Sequence, residues 1–269
     1  MALYTVHGGH AAHGNKYCGA VGYCSESLVD RAICKSVIKH LQNAGHTAVD
    51  CSVDSGISQS NIISKIKKNI NSYQGARANI SIHLNASSKS KADGKVKGCE
   101  TLVYATSTTA EVLAIKVCLQ LKALGFTNRG VKVRTDLGIL KGITNGGANI
   151  LIECFFCDDE DDFNLYSKVG VDAIGKAIAD GVLGKSVVQG SKQTYYVIPQ
   201  PTIKKGSQGT DAKRLQEILN YIAGANLVLD GKFGPASVAA LKQWQAAAGL
   251  SADGIYGPAS YKAMQKLLS

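Results

Sequence analysis

Residues 78–84 read Ala78-Asn79-Ile80-Ser81-Ile82-His83-Leu84, an apolar run interrupted at every second position by a polar side chain, and a polar stretch over 85–97 follows. A period of two is the signature of a strand with one buried face, so this segment is predicted as a strand with His83 at its exit. Similar short apolar runs stand at 2–6, 47–53, 99–104 and 150–155, the last reading Ile-Leu-Ile-Glu-Cys-Phe, a buried type of strand. Between them lie segments of helical period. In 27–44, Leu28, Ile33, Val37, Ile38 and Leu41 share a face and Gly45 ends the run; 61–70 carries Ile62, Ile63, Ile66 and Ile70. Two more helices are predicted over 111–124 and 169–183, the second preceded by a dense acidic turn from Asp158. Strands alternating with helices predict an α/β fold, a mainly parallel twisted sheet flanked by helices, with sites at the strand exits.

The character changes after residue 184. Residues 185–206 hold Pro199, Pro201 and several Gly and Ser with few core candidates, and read as a linker. Beyond it, Asp230-Gly-Lys-Phe-Gly-Pro-Ala-Ser237 returns 23 residues later as Asp253-Gly-Ile-Tyr-Gly-Pro-Ala-Ser260. Each copy is an Asp-Gly turn with Pro at a helix start. With helices predicted over 211–223, 236–248 and 259–268, residues 207–269 form a small all-α three-helix module. Among its aromatics, Phe233, Trp244 and Tyr256 are candidates either for its core or for ligand contact.

The 269 residues carry a net charge of +10, and the part from Ser186 onward holds nine Lys and Arg against four acidic residues. Both parts are therefore basic, which suits a polyanionic partner. No zinc finger, basic-region heptad or aromatic RNA-binding signature accompanies the charge, so nucleic acid is not the expected partner. No apolar run approaches the roughly 20 residues that span a bilayer. The first residues, MALYTVHGGHAAHG, lack a basic segment followed by an apolar one, so a cytoplasmic site of synthesis is expected, with some other means of exit if the protein acts outside. The eight cysteines all fall between Cys18 and Cys157 and are expected as free thiols in such a compartment.

Of six histidines, His83 and the pair in His7-Gly-Gly-His10 follow strands directly. Neutral imidazoles at strand exits suit a metal such as zinc, which in catalytic sites takes three protein ligands and keeps a fourth position for water. The third ligand can be a carboxylate from Glu26, Glu100 or Glu153. Glu153, inside an apolar run, needs a partner or a metal nearby.

The ordered set Val-x-Gly-Gly-His10, Ser-Glu26-Ser, Ser-Ile-His83-Leu-Asn-Ala, Asn-Arg-Gly-Val (128–131) and Ile-Leu-Ile-Glu153-Cys-Phe-Phe resembles the family-3 N-acetylmuramoyl-L-alanine amidases over residues 2–184. That resemblance implies zinc held by His10, Glu26 and His83, with Glu153 as catalytic base and Asn85 and Arg129 orienting substrate or ligands. Many members read Gly-His-Gly-Gly at the first ligand; here His7 and His10 both remain candidates, and the distance to Glu26 favours His10. The repeat over 207–268 is similar to a small helical peptidoglycan-binding module. Together the two parts imply hydrolysis of the amide between N-acetylmuramic acid and L-alanine. Peptidoglycan is then the partner, with anionic wall polymers as a further one. The two parts also look like a phage endolysin of a Gram-positive, Clostridium-like host, released through a holin pore. A zinc peptidase cutting the stem peptide, a wall-binding adaptor, and a host autolysin or spore-cortex amidase are the alternatives. Glu100 serves as the expected control, a glutamate whose loss costs little.

Overall fold

The computed structural model describes residues 1–185, 198–223, 225 and 227–268. Six strands, β1 (Leu3–Gly8), β2 (Thr47–Asp50), β3 (Ala76–Asn85), β4 (Cys99–Val103), β5 (Asn128–Val133) and β6 (Ala148–Phe156), form one sheet in the order β2-β1-β3-β6-β4-β5. The pairs β2-β1, β1-β3, β3-β6 and β4-β5 are parallel, and only β6-β4 is antiparallel. The fold is thus the expected α/β class with one reversal in the sheet. β5 was not anticipated. Asn128-Arg-Gly-Val-Lys-Val133 carries little apolar content, as befits a charged edge strand.

Alternation along the strands divides the sheet into a packed face and a polar one. Tyr4 and Val6, Ile80 and Ile82, Ile150 and Ile152, and Cys99 and Val103 point to one side. There they pack on α1 (Glu26–Asn43), α3 (Thr109–Ala123) and α4 (Glu160–Leu183). Leu28, placed on the core face of α1 by its spacing, is 55% exposed, and Val29 packs inward instead. On the opposite side, α2 (Gln59–Asn71) and a 3-10 turn, Gly138–Leu140, cover part of the sheet through Ile62, Ile66, Ile70, Ile139 and Leu140. Beneath them a buried network links three strands: Thr5 Oγ1 donates to Asn79 Oδ1 at 2.6 Å, and Asn79 Nδ2 donates to Asn145 and Asn149 at 2.9 and 2.7 Å.

The acidic turn anticipated at 158–162 is mostly helix, since α4 begins at Glu160, with a non-helical break at Gly170. Its carboxylates hold the segment that leaves β3. Asp158 accepts from Ser87 N at 2.8 Å, Asp159 from Ser90 Oγ at 2.7 Å, Glu160 from Ala92 N at 3.0 Å, and Asp161 from Asp93 N and Gly94 N at 2.7 and 3.0 Å. Buried Asp162 accepts from Gly98 N and Phe156 N.

The C-terminal part contains the expected three helices, α5 (Thr210–Ala223), α6 (Pro235–Ala247) and α7 (Pro258–Leu268). Most of the linker, residues 186–197, lies outside the described residues. Its end already belongs to the module: Ile203 is buried and exchanges backbone hydrogen bonds with Tyr256. Phe233, Trp244 and Tyr256 are 0%, 3% and 0% exposed and form the module's core, so ligand contact does not run through them. Ile115 and Leu119 of α3 join that core, which docks the module on the sheet domain.

Each repeated turn is closed by a buried glutamine. Gln216 Nε2 donates to Asp230 Oδ1, Lys232 O and Ser237 Oγ while its Oε1 accepts from Gly231 N. Gln245 makes the same four bonds to Asp253, Ile255, Ser260 and Gly254. Loss of either glutamine strands several buried groups. Gln216→Ala and Gln245→Ala should each destabilise the module by ~2–4 kcal/mol, by the cost of unsatisfied buried polar groups. Urea unfolding followed by the fluorescence of Trp244, the chain's one tryptophan, measures this; an unchanged midpoint would refute the clamp.

Candidate metal centre and active site

Register places a row of polar side chains across the thinly covered face. Gly8 pairs with Ile82 and His83 pairs with Glu153. Glu153 in turn lies opposite Glu100 across the antiparallel pair. Paired residues share a face, so His83, Glu153 and Glu100 stand side by side on β3, β6 and β4. The β3-β6 register slips just after His83, and the β4-β5 register slips at Glu100. Irregularities of this kind commonly sit beside functional sites, where they re-aim side chains.

Two further segments reach the same point. The chain leaves β1 through Gly9, and His10 turns over the sheet edge. Glu26, at the first position of α1 and 3% exposed, enters from above. His10 Nε2 and His83 Nδ1 each lie 3.2 Å from Glu26 Oε1, and the two imidazoles meet edge to face at 4.9 Å. One donor atom from each of the three residues falls within 4.8 Å of the others. Such a His-Glu-His set could hold a divalent metal ion of borderline softness. Two backbone donors fix the carboxylate: Ala20 N at 2.8 Å to Oε2 and Leu84 N at 3.1 Å to Oε1. Burial works against the charge of Glu26, but the hydrogen bonds from His10 and His83 outweigh it and hold the carboxyl well below the usual range.

Two glycines make room for this. A Cβ on Gly9 would stand 1.8 Å from His83 Cε1, and one on Gly19, whose φ is +82°, would stand 2.5 Å from Glu26 Oε2. His7 is not part of the cluster. It is 1% exposed, its Nδ1 faces Gly8 O at 3.1 Å, and burial pushes its pKa down to about 4. Of the two candidate histidines, the geometry gathers His10.

Glu153 has one oxygen, Oε2, buried without a hydrogen-bond partner. Burial raises its pKa, and the charges of Glu26 and Glu100 add to the rise against the opposing histidines. A carboxylate so placed can accept a proton readily. Asn85 and Arg129 do not touch the His-Glu-His cluster. Both bind Glu100, Asn85 Nδ2 at 3.3 Å to Oε1 and Arg129 Nε at 2.8 Å to Oε2, with Lys132 Nζ at 2.5 Å on the same Oε2. Glu100, read from the sequence as a candidate ligand and as the control whose loss costs little, is the immediate neighbour of Glu153. The antiparallel pairing that makes it so has no signature in the sequence.

Residues 9–184 match the model of the N-acetylmuramoyl-L-alanine amidases. The chain belongs to that family. Residues 208–264 match a putative peptidoglycan-binding domain. The chain is 29% identical over 240 residues to an uncharacterised Clostridium perfringens protein, covering 87% of this chain and 63% of the relative. It is 28% identical over 220 residues to a 38.4 kDa protein of the same species, covering 81% and 60%. The chain therefore spans less than two thirds of the length of these curated relatives. Among solved structures it is similar to the catalytic domain of an endolysin targeting Clostridia Difficile, at 27% identity and a TM-score of 0.60, over 70% of this chain and all of that one (100%). It is also similar to an N-acetylmuramoyl-L-alanine amidase of Nostoc punctiforme, at 25% identity and a TM-score of 0.52, over 68% and 95%.

The two histidines of the first turn separate by experiment. Calorimetric titration of metal-stripped protein with zinc should show uptake lost in His10→Ala and in Gly9→Ala, whose new methyl displaces His83. His7→Ala should keep uptake and lose stability only. Undiminished zinc binding by His10→Ala would reassign the first ligand.

Proposed function

We propose that the chain is a zinc-dependent hydrolase of the amide joining the lactyl group of N-acetylmuramic acid to L-alanine in peptidoglycan. One observation carries the reading: His10, Glu26 and His83, from three separate segments, converge within 4.8 Å beside Glu153. The family match over residues 9–184 supports the choice of bond. The donor set suits zinc because two imidazoles and one carboxylate leave a coordination position open. When bound there, zinc would supply Lewis acidity toward a carbonyl oxygen and lower the pKa of water to ~7.

The remaining work falls to the chain's own groups. Glu26 is locked by two backbone N–H donors, so its oxygen keeps one position between the histidines. Asp30 Oδ2 accepts from Gly9 N at 3.2 Å and holds the turn that carries His10. Glu153, with an unpartnered oxygen, takes the proton of the attacking water and delivers it to the departing alanine nitrogen. The amide is thereby cleaved to a lactyl carboxylate and a free amino terminus.

The division into a catalytic part, residues 1–184, and a wall-binding module, residues 207–269, belongs to the same proposal. We read the role as that of an endolysin exported through a holin-type pore, on the strength of the likeness to an endolysin catalytic domain. The helical module would anchor the enzyme on peptidoglycan, with its basic charge favouring anionic wall polymers as secondary contacts.

Glu153→Gln keeps shape and removes the basic oxygen. It should retain about one zinc per chain, as a three-ligand site predicts, while release of N-terminal L-alanine from purified peptidoglycan falls by ~10²–10⁴. Loss of zinc in this variant would move Glu153 into the ligand set. In the wild-type protein, a chelator should stop turnover and added zinc should restore it; the release of other termini by the restored enzyme would indicate a stem-peptide peptidase.

A further inference from the structure

The row on the sheet does not end at Glu153. Glu100 stands next to it on β4, and two cations of β5 reach back to the same Glu100 oxygen, Arg129 at 2.8 Å and Lys132 at 2.5 Å. Arg129 is further held over the ring of Phe156, 4.9 Å from its centroid. Two carboxylates, Glu100 and Glu153, thus stand side by side, and both cations bind Glu100. Glu100 is 9% exposed at its side chain, whereas Arg129 and Lys132 remain 36% and 45% exposed. Neither cation hydrogen-bonds Glu153, whose Oε2 is unpartnered. Glu100 takes one donor from each cation, so further N–H donors of Arg129 and Lys132 are held in position and reach solvent.

Direction follows from the chemistry of the proposed reaction, on which this inference rests. Glu153 protonates the leaving nitrogen and lies on the β4 side of His83, so the product carrying that nitrogen departs toward β4 and β5. That product is the stem peptide. Adjacent strands are ~4.8 Å apart, so β5 lies roughly 10 Å from β6. Two extended residues span about 7 Å, and the Arg129 and Lys132 side chains reach back one strand. The carboxyl group of the second stem residue therefore comes within their range.

We propose that Arg129 and Lys132, braced on Glu100, bind a free carboxylate of the stem peptide and make the enzyme select wall whose stems are not amidated there. Glu100 is a positioning residue in this arrangement: it holds two flexible cations side by side, so their ordering is already complete when the substrate arrives.

The test compares purified peptidoglycan, freed of its phosphate polymers, with the same material after its free carboxylates have been converted to carboxamides. The 269-residue, zinc-loaded chain is assayed for release of N-terminal L-alanine at limiting wall concentration. The wild-type rate should fall roughly 10-fold on the amidated wall, the size expected for a hydrogen bond to a charged group. Lys132→Gln and Arg129→Gln should lose a similar factor on the untreated wall, change little on the amidated one, and so erase the preference; Lys132→Arg should restore it. Equal wild-type rates on both walls would overturn the proposal, as would variants that lose the same factor on both, which is what a purely structural role gives. A wild-type protein that frees no N-terminal L-alanine from the untreated wall would overturn the amidase reading and this one with it.

Discussion

The register of β3 on β6 governs the whole site. Ala78 lies beside Ala148, and counting along both strands puts His83 beside Glu153 with both side chains on the thinly covered face. A slip of one residue on either strand would turn its polar set into the packed face among α1, α3 and α4. The buried amides lower on the same face make such a slip costly. Asn79 must meet Thr5, Asn145 and Asn149 at once, and no neighbouring register satisfies all three. Polar residues that look wasteful in a core thus fix the alignment on which the geometry of the His-Glu-His cluster depends.

The single antiparallel pairing has the second largest effect. As built, the reversal sets a carboxylate beside the proposed base, raises that base's pKa by repulsion, and gives two cations of the edge strand a common anchor. Electrostatics and topology act here as one device: the same Glu100 is repelled by one neighbour and bound by two others.

Much of this was legible before any coordinates. His10, His83 and Glu153 stood out as candidates at a Gly-Gly turn, a strand exit and an interrupted apolar run, while the resemblance to the amidase family singled out Glu26 and separated the proposed ligands from the proposed base. The parallel sheet and the three C-terminal helices followed from periodicity. What was not legible depends on pairing between distant segments. β5 hides because a charged edge strand lacks an apolar rhythm, and the place of Glu100 beside Glu153 exists only once β4 turns over. Gln216 and Gln245 escaped for a related reason. The visible repeat is the Asp-Gly turn, while the glutamine that closes it lies in the preceding helix, at a different offset in each copy. Phe233, Trp244 and Tyr256 were open to two readings, and burial selects the core.

The carboxylates of 158–162 grip the neighbouring segment mostly through its main chain: the amides of Ser87, Ala92, Asp93, Gly94 and Gly98 are held, and the side chains are largely left out. A grip on amides is indifferent to spelling. Residues 86–97, which leave the site directly after Asn85, can therefore be rewritten at most positions without loosening their path. The clasp makes the border of the candidate site an interchangeable part, one that can be diversified while the polar row behind it stays fixed.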